Sequence, residues 1–199
     1  MAQITAQIRP IDLSTSALIV IDMQEHFREI AGCLLPSLIP IIDAFEEHNL
    51  PVIFTQHGHV KDADSSQLMK WWGRDNSIAR FSPAWHLMSE LEAHAPENNP
   101  KTFRIENKNR YDAFLNTDLE KILHQLQVDS VVVTGTMTNL CCETTARSAF
   151  NRDFYVYFPT DGNATLSTQM HGASILNLRY GFAQITTLDK IHRALSRLP

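Results

Sequence analysis

The sequence predicts an α/β fold, with a parallel sheet and helices on both of its faces. Two observations carry this reading. Short apolar runs of strand length recur along the 199 residues, and amphipathic helical patterns separate them. That alternation builds βαβ units with right-handed crossovers. No internal repeat or linker divides the chain, and its length suits one sizeable core, so residues 1–199 read as a single domain.

In order along the chain, "ALIVID" (17–22) reads as a strand buried on both faces. "PSLIPIIDAFEEHN" (36–49) is a helix with Leu38, Ile41, Ile42 and Phe45 on one face, and it tolerates its early proline near the start. "PVIFTQ" (51–56) is the second strand. "TFRIEN" (102–107) is the third, and its alternating polarity fits an exposed or edge position. "NTDLEKILHQLQ" (116–127) is an amphipathic helix capped by Asn116 or Thr117. "SVVVTG" (130–135) is strand four, and the helix "NLCCETTARSAFNR" (139–152) follows it. "FYVYFPTD" (154–161) is strand five, a helix starts near Ser167, and "AQITTLD" (183–189) is strand six. The long stretch 57–101 carries all three tryptophans, Trp71, Trp72 and Trp85. A connection of that length is expected to carry function or short helices of its own, and it is read here as an insertion covering a pocket.

Bulk properties narrow the function. Composition is ordinary for a globular protein, with 44% hydrophobic and 20% charged residues, and the net charge is -5. That balance argues against a nucleic-acid partner. The locally basic "KTFRIENKNR" reads as a solvated face. No apolar run approaches the roughly 20 residues needed to span a bilayer, and the N-terminus lacks the basic-then-apolar pattern of a signal peptide. The three cysteines, Cys33, Cys141 and Cys142, form no CxxC and no zinc spacing. Their odd number fits a reducing compartment. The expectation is a soluble, cytoplasmic protein acting on a small molecule.

In open parallel sheets, ligands bind beyond the carboxyl ends of the strands. Asp22 closes strand one, His57 and His59 follow strand two, Lys108 follows strand three, and Cys141 follows strand four at a helix start. A helix dipole and a nearby lysine both favour a thiolate, and an aspartate can take the thiol proton and return it. Taken singly, each residue has an ordinary structural reading. A cysteine in a helix is usually a small buried hydrophobe, the reading that suits Cys33 and Cys142. An aspartate after a strand often caps a turn, and a lone lysine is usually solvated. The joint placement of the three is what points to chemistry.

Three blocks, "ALIVIDMQEHF", "KNRYDAFLNTDLEKIL" and "VVVTGTMTNLCCETTARSAF…YFPTDGNAT", resemble the signatures of the isochorismatase-like cysteine hydrolase superfamily. That group includes nicotinamidases, N-carbamoyl amidohydrolases and ureidoacrylate-type hydrolases. The resemblance implies a three-layer α/β/α Rossmann-like fold with a six-stranded parallel sheet, assembled as a homodimer or homotetramer. It implies Asp22, Lys108 and Cys141 as a catalytic triad. It also implies a non-proline cis peptide at Thr136–Met137, with the backbone N–H groups of Met137 and Cys141 forming an oxyanion hole.

The departures refine this. Isochorismatases typically carry glycine where this chain has Cys141, which tilts the expectation to C–N hydrolysis of a small amide or ureido substrate through a thioester. The alternatives are vinyl-ether hydrolysis, with Cys141 a bystander, and a catalytically silent binding protein. Many nicotinamidases hold a metal through an Asp-x-His pair after strand two. His57 stands where that aspartate would be and no clear second-histidine motif follows, so a metal is disfavoured and no other cofactor is expected. Gln24, Phe27, His57, Trp72 and Tyr111 are candidate substrate contacts. His59 reads as a surface or loop residue, Asn139 as a helix cap and His171 as structural.

Overall fold

A computed structural model describes residues 8–60, 65–96 and 99–199. Its strands are β1 (Ser16–Ile21), β2 (Val52–His57), β3 (Thr102–Lys108), β4 (Ser130–Thr136), β5 (Tyr155–Pro159), β6 (Asn163–Ala164) and β7 (Gln184–Thr186). Its helices are α1 (Arg28–Ala31), α2 (Leu35–Glu47), α3 (Gln67–Trp72), α4 (Leu119–Gln125), α5 (Glu143–Phe150), α6 (Thr168–Gly181) and α7 (Leu188–Leu195).

The strand order is β3-β2-β1-β4-β5-β7, and every pairing is parallel. β1, β2 and β4 are buried at every residue, which is why they read as unbroken apolar runs. Strand geometry sends alternate residues to opposite faces. Leu18 and Val20 accordingly pack with Leu38, Ile42 and Phe45 of α2 and Ile191 of α7. Ala17, Ile19 and Ile21 pack on the other side with Leu119 of α4, Ala146 of α5 and Leu178 of α6. β3 lies at the sheet edge, in keeping with the incomplete burial of four of its seven residues.

Local chemistry sets several boundaries. The Ser167 hydroxyl accepts the Met170 N–H (3.2 Å) and starts α6. Thr117 Oγ1 accepts the Leu119 N–H (3.3 Å) ahead of α4, whereas Asn116 takes a left-handed turn at φ 60. Thr187 caps α7, so the predicted sixth strand stops at Thr186 and its last residues are helical. The sheet has a seventh strand, the two-residue β6, which pairs with the end of β4 and is too short to leave a periodic signal. Within 57–101 the described residues form α3 and three short 3₁₀ turns, at Arg74–Asn76, Pro83–Trp85 and Ser89–His94. No helix among the described residues is long and apolar enough to cross a membrane.

At the carboxyl end of the β1–β4 pairing, Ile21 lies opposite Gly135. Gly135 has φ 111, and a Cβ there would sit 2.1 Å from the Ile21 carbonyl oxygen. That contact brings the Asp22 end of β1 beside the segment leading to Cys141. Gly135→Ala is therefore expected to cost at least about 2 kcal/mol, from the left-handed backbone and the clash together. A urea melt would show it as a lower midpoint.

Candidate active site

β1 delivers Asp22 at its carboxyl end. The residue adopts φ 48, a left-handed conformation that aspartate tolerates better than most side chains. Lys108 is the last residue of β3 and lies opposite His57 of β2. After β4 the chain passes through a cis Thr136–Met137 peptide into a wide π-type turn, Thr138–Cys142, ahead of α5. These three strand ends bring the predicted trio together. Lys108 Nζ lies 2.5 Å from Asp22 Oδ2 and 3.4 Å from Cys141 Sγ. Asp22 and Lys108 are fully buried, and Cys141 is 6% exposed.

Sequence reasoning missed one neighbour. Thr55 of β2 donates its hydroxyl proton to Asp22 Oδ1 (2.6 Å) and accepts the Asp22 N–H (3.1 Å). It fixes the carboxylate from the side away from the lysine. A hydroxyl level with the end of β1, after three apolar residues of β2, was its one sequence signal.

The electrostatics differ from the sequence expectation. Burial, with the Asp22 carboxylate adding to it, pushes the Cys141 thiol up to about 12, and Lys108 opposes this only in part. Cys141 also sits in the π turn before α5, not at the start of a regular helix. Burial thus favours the protonated sulfur, against the helix dipole and the lysine that favour a thiolate. Burial disfavours the Lys108 charge too, but the Asp22 carboxylate and the Cys141 sulfur outweigh it and hold the ammonium above the usual lysine range.

A cavity of about 380 Å³ opens over this cluster, in the size range of small-molecule sites. Phe27, His57, Trp72, Tyr111, Met137 and Cys141 all line it. Trp72 Nε1 donates to Tyr111 Oη (2.7 Å), tying α3 to the loop after β3 and so holding part of the 57–101 stretch over the cavity. A larger hollow of about 450 Å³ lies beside β7, against Phe150 and Tyr180, and contains none of the trio.

Other placements differ from expectation. Gln24 does not line the cavity. It is fully buried, its Nε2 donates to the carbonyls of His57 (3.0 Å) and Trp85 (2.6 Å), and its Oε1 accepts the His57 N–H (2.8 Å). Its amide braces two backbone segments and is not presented to a ligand. His59 is no surface loop residue: it is 2% exposed, donates its backbone N–H to Ile78 (2.8 Å) and lines the cavity. Cys33 is exposed, whereas Cys142 is buried, as its packing role requires, and all three cysteines are free. Asn139 lies inside the π turn, where its Oδ1 accepts the Thr165 hydroxyl (2.5 Å), so it does not cap α5. His171 Nδ1 lies 3.0 Å from Thr138 Oγ1 and braces that turn.

The donor set for a metal is thin. His57 and His59 pack edge-on with ring centroids 4.9 Å apart. Among the described residues, the group of three donors close enough to share an ion is Asp43, Glu46 and His94, none of which lines the cavity.

Comparison with known proteins agrees with this architecture. The chain is 37% identical over 180 residues to Nicotinamidase 3 of Arabidopsis thaliana, covering 90% of this chain and 88% of that protein. It superposes on a cysteine hydrolase from Pseudomonas syringae pv. phaseolicola with a TM-score of 0.86 and 25% identity, over 98% of this chain and 99% of the other. An isochorismatase family protein from Desulfovibrio vulgaris shares the fold, with a TM-score of 0.79 and 22% identity over 92% of this chain and 99% of its own. Residues 16–190 match the family model described as the isochorismatase domain. With that match across most of its length, the chain belongs to the isochorismatase family and is a hydrolase of that family.

Proposed function

We propose that this hydrolase cleaves the C–N bond of a small amide or ureido compound through a thioester on Cys141. The observation that carries the reading is the buried lysine bridging a carboxylate at 2.5 Å and a thiol at 3.4 Å beside a cavity of small-molecule size. The name of the Arabidopsis relative, a nicotinamidase, supports the amide class.

The resting thiol sets the order of events. Asp22 removes the Cys141 proton as sulfur attacks the carbonyl carbon, so the thiolate is never a stable species. The Lys108 ammonium stays charged and limits the cost of negative charge moving between carboxylate and sulfur. The carbonyl oxygen becomes an oxyanion facing the N–H groups of Met137 and Cys141; such a donor is typically worth about 3 kcal/mol. Asp22 returns its proton to the nitrogen, and ammonia or an amine leaves as the C–N bond breaks. A water then loses a proton to Asp22 and attacks the thioester. The product acid departs, and the proton goes back to the sulfur.

The test is a panel of small amides and carbamoyl compounds, nicotinamide first, with rapid quenching and mass spectrometry of the intact protein. An acyl adduct on Cys141 is the expected result. Hydrolysis of a vinyl ether but of no amide would replace the reading, and turnover of neither would leave a binding protein. One further variant probes the base. Thr55→Val removes the second hydrogen bond to Asp22 and is expected to lower kcat about tenfold with little change in KM, measured by steady-state kinetics on the amide the panel identifies.

A further inference from the structure

The N–H groups of Met137 and Cys141 can hold an oxyanion only if the turn that carries them keeps its shape, because such donors act by being set in place before the charge develops. That turn, Thr138–Cys142, is of the wide π type, and the Met137 carbonyl ahead of it accepts the N–H groups of Leu140 (3.0 Å) and Cys142 (3.2 Å). Three side chains of one neighbouring segment, 165–174, tie it from outside. The Thr165 hydroxyl donates to Asn139 Oδ1 (2.5 Å), His171 Nδ1 lies 3.0 Å from Thr138 Oγ1, and the Ser174 hydroxyl donates to the Glu143 carboxylate just past the turn. Thr138 follows Met137 directly and is fully buried. Its hydroxyl needs a partner inside the protein, and His171 supplies one.

The geometry points to His171 as a positioning residue of this hydrolase: through the Thr138 hydroxyl it fixes the turn that aims the Met137 and Cys141 N–H groups. The inference rests on the thioester reading above for its kinetic readouts. His171 is not among the described residues that line the cavity, so it acts through Thr138 and not on the substrate. Burial holds its imidazole below the usual histidine pKa. At neutral pH the ring is therefore uncharged, and what it contributes to the oxyanion is alignment of the donors, not a positive field.

His171→Phe keeps the bulk of the ring and removes the hydrogen bond. It is expected to lower kcat on the identified amide about tenfold with KM unchanged, a part of what losing a donor outright would cost. His171→Asn, whose amide again offers a donor and an acceptor, should recover most of the loss. An aldehyde shaped like the amide reads the oxyanion site directly. The Cys141 thiol adds across its C=O: the S–C bond forms, the π pair moves to the oxygen facing the two N–H groups, and the thiol proton passes to Asp22. Its affinity should fall about tenfold in His171→Phe. The intact amide, titrated calorimetrically into Cys141→Ala with and without His171→Phe, should bind alike. Equal weakening of aldehyde and amide, the mark of a merely structural role, overturns the inference, and so does an unchanged kcat. Thr138→Val removes the other partner and serves if His171→Phe does not fold; combined with it, the two effects should not add, and full additivity also overturns the shared bond. Hydrogen exchange over 136–142 decides the point without turnover. His171→Phe should speed it and His171→Asn restore it, and unchanged exchange sinks the inference. A wild type that cleaves no amide and takes up no aldehyde removes the thioester reading instead, while the exchange result still judges His171.

Discussion

Cys141→Ala is expected to reduce kcat on the identified amide by at least about 10⁴-fold while the protein stays folded. Without sulfur there is no atom to carry the acyl group, so the two-step route through a thioester is closed. The structural cost is small. One buried atom is lost, worth on the order of 1 kcal/mol, and the Asp22–Lys108 ion pair is untouched. Cys141→Ser is the stricter test. A serine hydroxyl is far harder to deprotonate than a thiol, so Asp22 cannot activate it to the same degree, and the serine variant should behave nearly like alanine. Kinetics and a melting curve on all three proteins check both halves. Full activity in Cys141→Ala on an amide that the wild type cleaves would remove the thioester.

The raised thiol pKa changes what a labelling experiment means. Cys141 is buried and protonated at rest, whereas Cys33 is exposed. Between pH 5 and 8 a thiol reagent should modify Cys33 first, whether or not the protein is an enzyme. Slow labelling of Cys141 is thus no sign of inertness. Activation here belongs to the encounter with substrate, when attack and proton transfer to Asp22 proceed together, and an acyl adduct formed from a substrate is the informative mark.

How much of this was legible in the sequence follows from where the information resides. β1, β2 and β4 were plain because burial on both faces demands continuous apolar runs. The convergence of Asp22, Lys108 and Cys141 was legible because each ends a strand or follows one and parallel strands align those ends at one edge, whereas their grouping as a triad came from the resemblance. β6 was not, since two residues carry no period. The architecture of 57–101 was not either: it is held by contacts to distant residues, Trp72 to Tyr111 and Gln24 to Trp85, that leave no local pattern. The same holds for Gln24, whose amide answers to backbone atoms 33 and 61 residues away. The effect of burial on Cys141 was not legible for a related reason. Helix position and charged neighbours can be read along a chain, but the depth to which packing buries a sulfur cannot.

Lys108→Met is expected to be the most damaging single change to the fold among the site residues. It leaves the Asp22 carboxylate sealed from water without its counter-charge, and breaking one side of a buried ion pair typically costs about 3–5 kcal/mol. Activity should vanish with it, because the carboxylate relieves its isolation by binding a proton and so ceases to be a base. Lys108→Arg should not rescue either property, since the planar guanidinium is larger and the site has no exposed margin. The cluster also predicts how stability depends on pH. The folded-state pKa of Lys108 lies above its ordinary 10.5, and that of Cys141 lies at about 12 against an ordinary 9.0. In each case the folded state holds its proton more tightly than the unfolded chain does. The resulting stabilisation is complete at neutral pH and is lost as pH rises, for Cys141 between about pH 9 and 12. Urea midpoints should therefore fall on the alkaline side and fall less in Cys141→Ala, where the thiol's share is gone. Cys142 is raised chiefly by burial and next by Cys141 itself, so its share also shrinks in Cys141→Ala and works in the same direction. Parallel alkaline profiles in the two proteins, or wild-type stability in Lys108→Met, would mean that the three groups do not share one buried site.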